Sequence, residues 1–191
     1  MVTTTVSKAA TRTPSGAKAN KPSHKAPKTS RAIEVPMTSR GSPVAKGRTD
    51  VPYLEYFCQA PMRQIEMIRR GIPALTVKRI AGDLRIEQDT LLRALNLSVA
   101  TLNRKVAQAK NLPADESERI AGIARLVGQV EAMVKESGDP EGFNAAEWLS
   151  RWLREPLPAL GGQMPIKLLD TMAGQALVSQ ALSRIQSGAY A

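Results

Sequence analysis

Apolar residues recur at intervals of three and four along most of the chain after residue 60, and stretches that alternate with a period of two are almost absent. This spacing is typical of amphipathic helices. The segment from Pro61 to Gly71 begins with proline and ends with glycine, as helices commonly do. The next segment has apolar side chains at helical spacing at Val77, Ile80, Ala81 and Leu84. The pattern therefore predicts an all-α fold, arranged as a helical bundle.

Two short helices are predicted next, in "EQDTLLRAL" and "VATLNRKVAQ", and the segment "NLS" separates them. Ser98 is placed to cap the second helix with its side-chain oxygen. Two short helices around a tight turn are typical of a helix-turn-helix. The leucines predicted to face inward or to fill the turn are Leu91, Leu92, Leu95 and Leu97, and the apolar stripe of the second helix comprises Val99, Leu102 and Val106.

The other face of this second helix carries polar groups that are able to reach DNA. Arg104 and Gln108 suit bidentate reading of guanine and adenine respectively. Ser98 and Lys105 suit contacts with the phosphate backbone. The alternative is an ordinary helical hairpin with a solvated polar face. The candidate DNA-binding residues are Ser98, Ala100, Thr101, Arg104, Lys105 and Gln108.

The longest predicted helix follows "NLPADESE". Its apolar residues are spaced three, four, three and four apart, which is the seam of a helix that packs along another. Because the seam is short, we interpret the segment as a core helix, with dimerisation as the alternative. Trp148 and Trp152, four apart on the following helix, are also predicted to lie in the core. The seam residues are Ile120, Ile123, Val127, Val130 and Val134.

Helix breakers cluster in "PALGGQMPIKLLDT", from Pro158 to Thr171. The stretch lacks the lysine and hydroxyl residue that follow the glycines of a phosphate-binding P-loop, so we interpret it as a sharp corner. Asp170 is then available to cap the last helix. An apolar face followed by a short end is expected to insert into a partner. That face is predicted from Leu177, Val178, Ala181, Leu182 and Ile185, and the end contains Gly188, Tyr190 and Ala191.

Charge is distributed unevenly along the chain. The first 50 residues hold 10 basic and 2 acidic side chains, whereas residues 51–191 hold 17 and 15. The first 50 residues also have no aromatic side chain. This predicts disorder, because so little apolar surface does not offset the entropy of ordering. A basic arm of this kind is typical of nucleic-acid binding, and a solvated spacer is the alternative.

A transit peptide is a further interpretation of the N-terminus, but the prolines there disrupt an amphipathic helix. No run of about 18 apolar residues is present, so no membrane contact is expected. No apolar core suited to a secretory signal follows Met1. These features favour a cytoplasmic protein.

Side chains for catalysis and metal binding are scarce. Cys58 is the single cysteine, and the single histidine, His24, lies in the basic arm. A disulfide framework, a cysteine-rich metal site and a Ser-His-Asp arrangement within one chain are therefore excluded. We expect no catalytic residue, no cofactor and no metal, and hence not an enzyme.

The C-terminal forty residues, "WLREPLPALGGQMPIKLLDTMAGQALVSQALSRIQSGAYA", closely resemble the toxin-binding region of Xre/MbcA/ParS-type antitoxins, the partners of RES-domain toxins. The likeness extends over residues 60–191. Two departures are Leu157, where the family often has a polar residue, and a basic arm of about 50 residues, longer than such antitoxins usually carry. The matching positions are Trp152, Leu153, Pro156, Leu160, Gly161, Gly162, Pro165, Leu168, Leu169, Asp170, Thr171, Gly174, Ile185, Gly188, Tyr190 and Ala191.

The resemblance implies an Xre-like helix-turn-helix upstream, where the helix pair is predicted. It further implies an antitoxin of a type II toxin-antitoxin system that occludes the active site of a NAD-consuming RES-domain toxin and represses its own operon. The expected partners are the cognate toxin, operator DNA and a second copy of the chain in a homodimer. The toxin-binding candidates are Gly161, Gly162, Pro165, Leu168, Asp170, Gly174, Ile185, Gly188, Tyr190 and Ala191.

Three regions are expected: a disordered basic tail over residues 1–55, a helix-turn-helix region over 56–112 and a helical toxin-binding region over 113–191. The rival hypothesis is a stand-alone basic transcriptional regulator whose C-terminal helices mediate dimerisation. The third hypothesis is that the protein is an enzyme.

Overall fold

The computed structural model describes residues 51–138 and 140–186, and the regular elements within these ranges are helices. The expected all-α fold is confirmed. The basic arm and the end with Gly188, Tyr190 and Ala191 lie outside the described residues. The eight described α-helices are α1 Tyr53–Cys58, α2 Pro61–Arg70, α3 Ala74–Asp83, α4 Gln88–Ala94, α5 Val99–Ala107, α6 Ala114–Ser137, α7 Ala145–Trp152 and α8 Met172–Gln186; two 3₁₀ turns, Pro158–Leu160 and Pro165–Leu168, precede α8.

Local sequence explains where several helices begin and end. Helix α2 starts at Pro61 and stops at Gly71, which has a φ of 85° and donates its N–H to carbonyls of the last turn. Asn144 caps α7, since its side-chain oxygen accepts the N–H of Glu147 at 3.0 Å. The N–H groups of Gly71 and Glu147 thus find acceptors within or next to their own helices.

Helix α6 is the centre of the bundle, and α1, α2, α7 and α8 all pack against it. The predicted core helix is confirmed, because Ile120, Ile123, Val127 and Val130 are at most 2% exposed. Val134, the last residue of the predicted seam, is half-buried. Over these residues the chain's own helices cover the seam, so α6 presents little of it to a second copy.

Helix α1 was not predicted from the sequence pattern, whose first helix begins at Pro61. Val51 and Tyr53 are buried, although both fall in the range expected to belong to the disordered tail. The physical reason is a close fit on α6: the carbonyl of Tyr53 occupies the space that a β-carbon of Gly128 would need. The Tyr53 hydroxyl also donates to Asp83 at 2.6 Å, which ties α1 to the end of α3. Burial, with that hydrogen bond, raises the pKa of Tyr53 well above its usual range.

The two tryptophans of α7 stack on each other, with ring centroids 6.2 Å apart and an interplanar angle of 12°. Trp152 is buried in the core as predicted, whereas Trp148 is half-buried. None of the described helices is long and apolar enough to cross a membrane.

Candidate functional site

Helices α4 and α5 form a compact pair around a tight turn. Leu91, Leu92 and Leu95 are completely buried, and Leu102 is 2% exposed. In the turn, Asn96 adopts a φ of 51°. The half-buried Leu97 that follows donates its N–H to the carbonyl of Leu92 at 2.8 Å. The predicted interior of the helix-turn-helix is confirmed.

The predicted cap of α5 is also confirmed. The Ser98 hydroxyl accepts the N–H of Thr101 at 3.3 Å, which satisfies one of the free donors at the helix start. Ser98 itself is exposed and Thr101 is half-buried.

The structure brings three of the DNA-binding candidates, Ala100, Arg104 and Gln108, onto one exposed face of α5. Lys105 points elsewhere: its Nζ lies 2.8 Å from Glu116 Oε2 at the start of α6, and the two side chains are 18% and 19% exposed. The ammonium group is therefore committed to α6, and a phosphate contact by Lys105 would require this ion pair to break. DNA contact by any of these residues remains a prediction.

Positive charge in the folded region concentrates before residue 113, in the part of the chain that contains this helix pair. Residues 61–112 hold 10 basic and 4 acidic side chains, whereas residues 113–191 hold 7 and 10. A basic surface attracts the phosphate backbone irrespective of sequence. Nine of the ten basic residues in 61–112 are exposed, with Lys105 as the exception; they are Arg63, Arg69, Arg70, Lys78, Arg79, Arg85, Arg93, Arg104 and Lys110.

The Gly-Gly corner has the shape that the sequence predicts. Gly161 and Gly162 have φ values of 66° and 78°, a left-handed conformation that other residues adopt at a cost. The N–H of Gly162 donates to the carbonyl of Leu157 at 2.9 Å, and the Leu157 N–H donates to the Gln163 carbonyl at 3.1 Å. These bonds close the corner, and both glycines are exposed on it.

The cap of α8 is Thr171, and the prediction of Asp170 was wrong. The Thr171 hydroxyl accepts the N–H of Gly174 at 3.1 Å. Because the helix starts at Met172, Thr171 occupies the capping position and Asp170 precedes it by one residue. Asp170 is exposed beside the corner.

Gly174 and Pro165 are buried, so these two toxin-binding candidates act on the shape of the corner more directly than on a partner. A β-carbon at Gly174 would overlap the carbonyl of Leu168. Because glycine has none, α8 packs closely on the preceding 3₁₀ turn. The remaining described candidates divide by exposure. Gly161, Gly162 and Asp170 are exposed, and Leu168 and Ile185 are half-buried.

The predicted apolar face of α8 is narrower in the structure. Val178, Ala181 and Leu182 are at most 3% exposed and Ile185 packs partly against the core, but Leu177 is 49% exposed. Leu177 is one residue before Val178, which rotates its side chain by about 100° out of the buried face. Leu177 is thus an apolar group on the free side of α8.

Two glutamines, which the sequence patterns did not single out, attach α8 to α6. Gln129 donates to the carbonyl of Ser179 and to the hydroxyl of Ser183, both at 3.0 Å, and accepts from the Ser179 hydroxyl at 2.7 Å. Gln175 donates to the carbonyls of Arg119 and Leu169. The sequence signal that could have indicated these glutamines was a polar residue among small residues on an otherwise apolar helix face.

Among residues 51–138 and 140–186, no group of three or more His, Cys, Asp or Glu side chains is placed to hold a metal ion. Cys58 is exposed there. The described region therefore combines a basic helix-turn-helix with a glycine corner that leads into a firmly seated last helix. This arrangement defines a DNA-binding protein with a second, helical interaction region.

The comparisons with known proteins identify that second region. The family model "Antitoxin Xre-like helix-turn-helix domain" matches residues 63–125. The model "Antitoxin Xre/MbcA/ParS C-terminal toxin-binding domain" matches residues 138–188. The chain belongs to the Xre/MbcA/ParS family of antitoxins.

Three relatives are similar to the chain. The Prs ADP-ribosylating antitoxin of Sphingobium sp. (strain YBL2) is 51% identical over 146 residues, which cover 76% of this chain and 92% of the relative. Antitoxin Xre of Photorhabdus laumondii is 27% identical over 122 residues, or 64% of this chain and 77% of the relative. Antitoxin Xre of Yersinia enterocolitica is 28% identical over 126 residues, or 66% and 80%. The chain is thus an antitoxin whose two domains imply DNA and a toxin as partners.

Proposed function

We propose that this antitoxin neutralises a RES-domain toxin by covering the entrance of the toxin's active site with its C-terminal region. The observation that supports this is the firm packing of α8 against α6. Val178 and Leu182 are completely buried, and Gln129 bonds to Ser179 and Ser183. Residues after Gln186 therefore start from a helix that is held in place, which lowers the entropy lost when they bind.

Occlusion requires no catalytic group on the antitoxin. A concave site is blocked by a complementary apolar surface and a short segment that fits it, and a few central side chains usually supply most of the affinity. The exposed Gly161, Gly162 and Asp170 at the corner and the terminal residues Gly188, Tyr190 and Ala191 are the candidates for these contacts. The exposed side chain of Leu177 on α8 is a further candidate, and an apolar one.

The toxin's chemistry is the second part of the proposal. The name of the Sphingobium relative, which is 51% identical, refers to ADP-ribosylation of Prs. For this chain we infer a toxin that consumes NAD by transferring ADP-ribose to a protein. The transfer would take place in the cytoplasm, the compartment in which NAD, the toxin and the operator DNA would all be present.

The third part is repression of the antitoxin's own operon by a homodimer. Helix-turn-helix proteins commonly bind palindromic operators as dimers, with one recognition helix in each half-site. The exposed cations of residues 61–112 would supply the attraction to the phosphate backbone. Repression then keeps the toxin and the antitoxin in proportion.

Deletion of Gly188 to Ala191 tests the occlusion. These residues follow the buried face of α8, so the fold and operator binding should persist while neutralisation weakens. The truncated chain is co-expressed with the cognate toxin, and growth, cellular NAD and ADP-ribosylated protein are measured. We expect arrested growth and falling NAD.

The matched control is Arg104→Ala, which should lose operator affinity and still neutralise the toxin. Full neutralisation by the truncated chain, with normal growth and normal NAD, would show that Gly188 to Ala191 are not needed for toxin binding. The toxin contact would then be assigned to the exposed side of α8 at Leu177. A decline in growth without ADP-ribosylation or loss of NAD contradicts the proposed toxin chemistry.

A further inference from the structure

The exposed residues of α5, together with Gln108 immediately after its last turn, form a single continuous stripe. Their positions are i, i+3, i+4, i+7 and i+8, which lie on one face of an α-helix. The stripe differs from the face predicted from the sequence, because it excludes Thr101 and Lys105 and includes two residues that had no predicted role. Its members are Ala100, Asn103, Arg104, Ala107 and Gln108.

The rotation of α5 that produces this stripe is fixed by the core. Leu102 is 2% exposed on the opposite side of the helix. Lys105 is held by Glu116 at 2.8 Å, with both side chains less than 20% exposed. Turning Lys105 toward DNA would break this ion pair and expose Leu102, so the stripe is the face that α5 offers.

Asn103 lies at the centre of the stripe, next to Arg104 in sequence. Its carboxamide makes no hydrogen bond with any residue in the described part of the chain, and the residue is exposed. From its first to its last residue the stripe extends eight residue steps along the helix axis, roughly 12 Å. This length corresponds to about three or four base pairs. Ala100 and Ala107 flank the centre and add no bulk that would keep the helix away from the groove floor.

We propose that Asn103 reads an adenine in the major groove, in the same half-site as a guanine read by Arg104. The carboxamide presents one donor and one acceptor, which match adenine N7 and the N6 amino group when the carboxamide donates to N7 and accepts from N6. Arg104 presents two donors to guanine O6 and N7. The assignment deepens the DNA-binding role of the helix-turn-helix and rests on it.

The experiment begins with selection of preferred sequences from random double-stranded DNA by the full chain. The expected half-site contains an adenine and a guanine within about four base pairs. The adenine is then replaced by 7-deazaadenine, which lacks the N7 acceptor. Because the N6 amino group remains, wild-type affinity should fall by the lower part of the roughly 5- to 150-fold range that about 1–3 kcal/mol for a full bidentate contact implies.

Asn103→Ala should bind the adenine and 7-deazaadenine sites equally, while Arg104→Ala should keep the adenine preference and lose the guanine preference. Alanine is the better helix former, so the melting temperature of Asn103→Ala should be equal to that of the wild type or slightly higher. Gln180→Ala removes an exposed amide from α8 and serves as the control with unchanged DNA recognition.

Two outcomes overturn the assignment and are distinguishable. A preferred half-site whose adenine preference survives in Asn103→Ala removes Asn103 from base reading and leaves DNA binding intact. Selection that yields no preferred sequence, with equal binding to all DNA, contradicts sequence-specific binding by the helix-turn-helix as well.

Discussion

The side-chain carboxamide of Gln175 on α8 lies directly against Gly122 on α6, in the space that a β-carbon at residue 122 would occupy. Its Nε2 donates to the Arg119 carbonyl at 3.1 Å and to the Leu169 carbonyl at 2.8 Å. One amide thus joins the last helix both to the central helix and to the corner before it. The absence of a side chain at Gly122 makes this contact possible.

Gly122→Ala should destabilise the fold by about 1–3 kcal/mol, because the added methyl group displaces the Gln175 amide from its bonds. Gly82→Ala is the matched control: it is also a helical glycine, and a β-carbon there meets no atom within 4 Å. That control should be neutral or stabilising, by at most about 1 kcal/mol. Urea unfolding of both variants measures the difference, and equal effects would contradict the role of Gln175.

Thr171→Ala should cost about 0.5–2 kcal/mol, since it removes the oxygen that caps α8. Asp170→Asn should cost less, because Asp170 lies before the capping position and contributes at most its charge near the helix start. Chemical denaturation of the two variants under identical conditions ranks them. The reverse order would return the cap to Asp170.

Glu131→Gln should stabilise the protein at neutral pH. Burial raises the pKa of the half-buried Glu131 above its ordinary value of 4.5, although Lys135 and the N–H of Leu54 partly oppose the shift. The folded chain therefore binds this proton more tightly than the unfolded chain does. The associated stability is complete below pH 4.5 and is lost as the pH rises through the folded-state pKa.

Glutamine stays neutral at every pH and keeps an oxygen for Leu54. The melting temperature of Glu131→Gln should thus exceed that of the parent at pH 7, and the difference should shrink as the pH approaches 4.5. Thermal scans of both proteins across this range test the sign. A constant difference between the two would show that the carboxyl's ionisation is not its cause.

Removal of residues 1–50 should flatten the dependence of DNA affinity on salt. The deleted segment holds 10 basic side chains, and each phosphate contact that is lost reduces the slope of log affinity against log salt by about 0.9. We expect a change of several units in titrations at different salt concentrations. An unchanged slope would favour the solvated spacer.

The elements that depend on local sequence were predicted well. Ser98 stands immediately before an apolar stripe, and Gly161-Gly162 lacks the residues of a phosphate loop, so a cap and a corner follow from their neighbours alone. The choice between Asp170 and Thr171 was harder, because both residues make good caps and helix starts are uncertain by a residue or more.

The orientation of α5 was beyond the reach of such patterns. Whether Lys105 faces solvent depends on Glu116, which lies eleven residues away on another helix. The same applies to Gly122 and Gln175, whose contact joins residues 53 positions apart. Leu177 was placed on one apolar face with Val178 and Leu182, because a helical pattern alone does not say how much of such a face the core will cover.

Helix α6 runs without interruption from Ala114 to Ser137, so its first part lies within the span matched by the helix-turn-helix model, which ends at residue 125. Its buried side chains pack against α1 and α2 as well as α7 and α8. A recombination event that joined the front half of this gene to the back half of a diverged relative would surround α6 with foreign helices. The helix-turn-helix and the toxin-binding domain share α6 in this architecture, and we therefore expect such genes to be exchanged whole.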